Sequence, residues 1–212
     1  GPLTLTVDNT VYASPQALTK LVLINNLPQE GDHNPFQDDD MRGSEYQMSL
    51  TEGNTFTVKA SIRQNDGTFE TKVIDPKYIK IQYSKDVSFD GDDWNGKESV
   101  KWTTNPEGAR SFRIIIDDPS GAAMPAHSKV TVEYDAKADT PDSIEPGQTA
   151  YNSFGYHYEV NGGTALEAAP SGVGLRTPYV PPLQKRLEPR MVRLWLPVQM
   201  QNSILSSMTV PQ

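Results

Sequence analysis

The sequence has no cysteine among its 212 residues. That excludes disulfides, thiolate metal sites and cysteine nucleophiles. No apolar run approaches the ~20 residues that a membrane-crossing helix needs. Positive charge is in deficit: 19 Lys and Arg stand against 27 Asp and Glu, for a net charge of -8 and a pI near 4.9. Such a balance disfavours a phosphate backbone or an anionic lipid surface as partner, so neither nucleic acid nor membrane contact is expected. Histidine is scarce, with only His33, His127 and His157. HExxH, GxSxG, GxGxxG and P-loop motifs are all missing, and no enzymatic activity on a separate substrate is expected. Carboxylates are plentiful, but no pair stands out as the acid and nucleophile of a glycosidase. The start Gly1-Pro2-Leu3 lacks the charged region of a signal peptide and reads as a protease-cleavage scar on a segment of something longer.

What the chain does have is turns and short alternating runs. Glycine and proline number 15 and 17, enough to interrupt the chain often. Between them lie Leu3 to Val7, Thr55 to Ile62, Tyr78 to Tyr83, Ser111 to Ile116, Lys129 to Tyr134 and Tyr151 to Val160. Each alternates apolar with polar residues or is rich in β-branched and aromatic side chains, as strands are. Leu18 to Leu27 is apolar enough throughout for a buried strand. Asn65-Asp66-Gly67 and Asn161-Gly162-Gly163 are hairpin turn sequences, because a positive φ is cheap there. No long helical period occurs. The expected fold is all-β: an antiparallel β-sandwich of immunoglobulin-like or collagen-adhesin-like type, with long loops and an extended C-terminal tail.

Two acidic loops interrupt the strands, Pro28 to Gly43 and Asp86 to Asn95. Asp32, Asp38, Asp39 and Asp40 in the first, and Asp86, Asp90, Asp92 and Asp93 in the second, could supply oxygens to calcium. The second set is the calcium candidate; it lacks the bidentate Glu that closes an EF-hand loop. No other cofactor is implied. Trp94 and Trp102 flank this loop, with Tyr83 near in sequence. Exposed aromatic faces of that kind stack on sugars or peptides, and buried ones plug the end of a sandwich.

The tail differs in kind. Thr177 opens the stiff stretch Thr-Pro-Tyr-Val-Pro-Pro, and residues 183–212 show no clean period. The expected division is a sandwich domain over residues 1–177 and a Pro-rich linker and tail over 178–212. Codons chosen for Lys185 to Val210 can encode strand-like alternation in a shifted frame. The tail therefore reads either as a frameshifted start of a following domain or as an ordinary extension.

Three segments carry a family resemblance. Leu27-Pro28, Gly31-Asp32 and Arg42-Gly43-Ser44-Glu45-Tyr46 form the pattern LP-x-x-GD…RGS-x-(F/Y). Val130 to Lys137 resembles the penultimate strand of fimbrial β-sandwich domains. Pro146 to Tyr156, followed by Val173 to Pro178, resembles their closing strand and exit. The chain is thus similar over residues 18–182 to domains of sortase-anchored surface adhesins and pilin-like proteins of Gram-positive bacteria. The resemblance implies an extracellular, cell-wall-anchored module for cell adhesion. Its partners would be neighbouring β-domains of the same chain and a host extracellular protein or glycan. The alternative is a carbohydrate-binding module of a secreted glycosidase.

The resemblance also implies an internal isopeptide bond between a Lys and an Asn near the last strand, helped by a buried acid. Burial would make the Lys neutral and nucleophilic, and folding would supply the proximity. Lys20, set in an apolar run, and Asn152, set in the closing strand, are the expected pair, with Glu133 or Asp135 as the acid. Lys59 is the other lysine considered, and Lys20 is equally able to extend its amine to solvent.

Overall fold

Alternating strands dictate two faces per sheet, and the computed structural model has two such sheets. It describes residues 1–10, 16–36 and 41–160, together with the backbone of 164–165, 177–179, 192–195 and 205–210. The strands are β1 (Pro2–Asp8), β2 (Leu18–Asn26), β3 (Met48–Leu50), β4 (Thr57–Arg63), β5 (Phe69–Val73), β6 (Ile79–Ser84), β7 (Ser111–Asp117), β8 (Ser128–Ala138) and β9 (Ala150–Val160). Beyond them lie β10 (Thr164–Ala165), β11 (Thr177–Tyr179), β12 (Val192–Trp195) and β13 (Leu205–Val210). One four-residue helix, α1 (Gly91–Trp94), breaks the second acidic loop. The all-β sandwich expected from the sequence is what forms.

The first sheet runs β12-β13-β1-β8-β4-β5, with β3 also on β8; the second runs β10-β9-β2-β7-β6, with β11 on β9. Among the described residues every pairing is antiparallel. Strand pairing therefore continues past residue 177. The exit segment Val173 to Arg176 and most of the tail lie outside the described residues, as do Asp38, Asp39, Asp40 and the turn Asn161-Gly162-Gly163.

Leu3, Leu5 and Val7 of β1, Val58 and Ala60 of β4, and Val130, Val132 and Tyr134 of β8 point inward from the first sheet. Leu21 and Leu23 of β2, Phe112, Ile114 and Ile116 of β7, and Phe154, Tyr156 and Tyr158 of β9 meet them from the second. Each large side chain so buried contributes about 1.5–3 kcal/mol. The central stretches of β2, residues 21–24, and of β7, residues 114–116, are apolar at consecutive positions for a second reason. Their outer face is covered too, by Trp94, Trp102, Phe36 and Phe89 resting on Val22, Ile24 and Ile115. The loop after β6, joined by Phe36 of the first long loop, thus forms a third layer over β2 and β7, and strands covered on both faces read as continuous apolar runs.

Candidate functional site

Residues of the LP-x-x-GD and RGS-x-Y segments and of the start of β9 converge at the pole where β1 enters the sandwich. Asp32 lies early in the first long loop and Arg42 at its end. Arg42 donates from Nε to the Asp32 carboxylate at 2.9 Å, and a second guanidinium nitrogen reaches the same oxygen. It also donates to the backbone oxygens of Asn26, at 3.1 Å, and Leu27, at 3.2 Å, and to Asn26 Oδ1 at 2.7 Å. Asp32 further accepts from the amides of Gln29 and Ser44 and from Ser44 Oγ. The flanking glycines are required by the backbone: Gly31 and Gly43 hold φ of 69° and 62°, where a side chain is strained. Their amides bond across the loop, to Ser44 O and Asp32 O.

This clamp reaches the closing strand. Ser44 Oγ accepts from the Tyr151 amide at 3.0 Å. Glu45 and Thr149 exchange two bonds, amide to carbonyl at 2.8 Å and amide to carboxylate at 2.6 Å. Arg110 donates to the oxygens of Pro28 and Met48. Beside it opens a groove of about 730 Å³ bordered by Leu50, Asn54, Tyr83, Glu107, Arg110 and Asp139. Tyr83 alone of the three aromatic candidates borders it, and burial raises its hydroxyl pKa.

Trp94 and Trp102 are each only 4% exposed, so neither offers a face to a sugar. They belong to the outer layer, where the Arg113 guanidinium lies 4.5 Å from the Trp102 ring centre. Arg113 donates to Gln82 Oε1 and to the backbone oxygens of Asp93 and Lys97, which fixes the loop to the sheet. The ligand-binding expectation for these two tryptophans is corrected: their apolar area, in a chain with few other large side chains for that layer, is used in packing.

The four acids of the same loop serve different partners. The Asp90 carboxylate caps α1, accepting from the amides of Asp92 and Asp93. Asp93 accepts from the Asp90 amide at 2.8 Å, from Trp102 Nε1 at 2.7 Å and from Lys101 Nζ at 2.9 Å. Burial opposes charge on Asp93, but bonds from Lys101, the Asp90 amide and Trp102 outweigh it and hold its pKa low. Asp92 pairs with Lys97 at 3.1 Å. Asp86 bonds through its backbone, to Ser84 Oγ and Ser111 Oγ. Among the described residues no three histidine, aspartate or glutamate side chains converge as a metal site.

Lys20 and Asn152 are not brought together. Lys20 pairs with Glu159 in the β2–β9 ladder, whereas Asn26 pairs with Ser153, which separates the two residues by about 20 Å along the strands. They also face opposite ways. Lys20 donates to Asn95 O at 2.7 Å in the outer layer. Asn152 points into the core and exchanges amide bonds of 2.9 and 2.7 Å with Asn25, beside the Tyr134 hydroxyl, whose pKa burial raises. Glu133 and Asp135 share the outer face of β8, with Tyr134 between them turned inward. Glu133 pairs there with Lys59 at 3.5 Å, both partly exposed.

His33 is exposed, and His127 sits beside Arg63, 3.2 Å away. His157 is buried on the outer face of β9, and its Nε2 has no hydrogen-bond partner. Burial lowers its pKa, with Glu159 opposing and Lys20 adding to the shift. Sequence reading passed over Arg113 altogether. Its one visible sign was a cation inside the otherwise apolar Phe112 to Ile116. No family model, curated protein or solved structure matches the chain.

Proposed function

We propose that this sandwich is a presenting module of an extracellular, cell-wall-anchored bacterial surface protein of the adhesin or pilin-like kind. In that role it holds an adhesive segment away from the wall or contacts a host protein or glycan itself. The observation that supports this reading is the clamp. The LP-x-x-GD, RGS-x-Y and closing-strand segments, far apart in sequence, meet in one buried hydrogen-bonded network. The loops that would form a mobile active site elsewhere are tied down by buried Arg42 and Arg113, as suits a module that transmits force. The groove beside Tyr83 and Arg110 is the natural place for a ligand or an adjoining domain.

An antibody raised against residues 1–160 tests the reading. It should label intact cells of the source organism, and brief protease treatment of those cells should remove the label. Antigen found only in the cytosolic fraction overturns the proposal.

A further inference from the structure

β5 (Phe69–Val73) ends the first sheet, and all five of its residues are exposed. Its backbone groups divide into two sets. Ile74 N donates to Val58 O at 2.9 Å, and Gln64 N to Thr68 O at 2.7 Å. With the register Ile62↔Glu70 and Ala60↔Lys72, these bonds place the even-numbered residues in the hydrogen-bonded pairs with β4. Antiparallel ladders alternate, so the N–H and C=O groups of Phe69, Thr71 and Val73 point away from the sheet. The side chains divide in the same way. Glu70 and Lys72 share the face of Ala60 but project beyond the core, 3.5 Å apart and well exposed. Phe69 and Val73 lie on the other face, 44% and 67% exposed.

We propose that this edge pairs antiparallel with β5 of a second copy of the chain, with the two Thr71 residues opposite each other. Read in either direction, the strand is apolar, charged, Thr, oppositely charged, apolar. In this register Phe69 faces Val73 of the second copy, Glu70 faces its Lys72, and Lys72 faces its Glu70. The outward N–H and C=O groups of Phe69, Thr71 and Val73 all find partners, because these residues form the hydrogen-bonded pairs of the new ladder. Charges on the inward side of an edge strand normally deter pairing. Here they deter other strands and select the chain's own copy, since only a strand with the reversed charge order neutralises both. A ladder of five residues buries less than a stable interface requires, so the association is weak and depends on concentration. It suits copies standing side by side.

Sedimentation velocity of the full chain over a concentration series tests this. A concentration-dependent monomer–dimer equilibrium is expected. Thr71→Pro removes an N–H that faces the free edge, together with the exposed Thr71–Ser61 hydroxyl bond; it should abolish the dimer and shift the melting temperature no more than Thr71→Val, which loses that bond alone. Glu70→Lys and Lys72→Glu, each alone, set like charges opposite each other twice and should weaken the dimer about tenfold. An equimolar mixture of those two variants pairs opposite charges again and should recover the wild-type constant. A wild-type chain that stays monomeric at the highest attainable concentration overturns the proposal. So does a dimer that survives Thr71→Pro, or a mixture no tighter than its components. If Thr71→Pro damages the fold, the charge variants decide, because both side chains are exposed.

Discussion

Arg42 exposes no side-chain surface, so Asp32 and the Asn26 and Leu27 oxygens replace water around its charge. A buried pair gives little net stability over an apolar one, but removing one member strands the other and costs about 3–5 kcal/mol. Arg42→Ala is therefore expected to lower unfolding free energy by about 3 kcal/mol, with Arg42→Lys recovering only part because the fork geometry is lost. Urea denaturation measures it, and a loss indistinguishable from zero contradicts the clamp. His157 carries a pH dependence of definite sign. Its folded pKa lies below the unfolded value of about 6.5, so near that pH the unfolded chain binds more protons. Stability from the neutral ring is complete above pH ~6.5 and is lost as pH falls toward the folded pKa. The melting temperature should drop as pH falls below ~6.5, and His157→Gln should flatten that slope. An unchanged slope in the variant assigns the drop to other groups.

At the scale of elements, α1 shows how the carboxylates of an acidic loop cap a helix of their own. Asp90 and Asp93 form a reciprocal capping box, each satisfying an amide at the start of the helix. Asp90→Ala should cost about 1 kcal/mol, and neither calcium nor a chelator should shift the melting temperature of the wild type. A calcium-dependent rise would support the metal reading of Asp86, Asp90, Asp92 and Asp93. The same loop marks where the sequence ceased to be legible. Strands with one buried face, such as β1, β4 and β8, announced themselves by alternation. β2 was legible as an apolar run and β7 as a β-rich run, although the layer that covers them was not. β5 alternates too, Phe69 and Val73 against Glu70 and Lys72, but none of its side chains is buried, so its pattern marks no core face. A four-residue helix is too short to show a period, and two acids three positions apart suit a cap as well as a metal. The clamp's letters were readable, but a bond between Asp32 and Arg42 follows only once the loop closes on itself.

For the whole molecule the question is whether the sandwich is closed by a covalent bond. Attack on an Asn side chain requires the amine within about 3–3.5 Å of the carbonyl carbon. Lys20 lies in the outer layer and Asn152 in the core, on opposite sides of one sheet. Glu133, with 43% of its side chain exposed, cannot act as a buried acid between them. The position near the closing strand is occupied instead by the Asn25–Asn152 amide pair, which joins two neighbouring strands without new covalent chemistry. Two measurements follow. Intact mass under denaturing conditions should equal the sequence mass; a deficit of one ammonia that Lys20→Ala abolishes would show that the two residues do meet. Asn152→Ala should cost about 1–3 kcal/mol, because it leaves the Asn25 amide buried and unpaired. If Asn152→Ala instead unfolds like the wild type, the amide pair adds nothing to the backbone ladder that already joins β2 and β9.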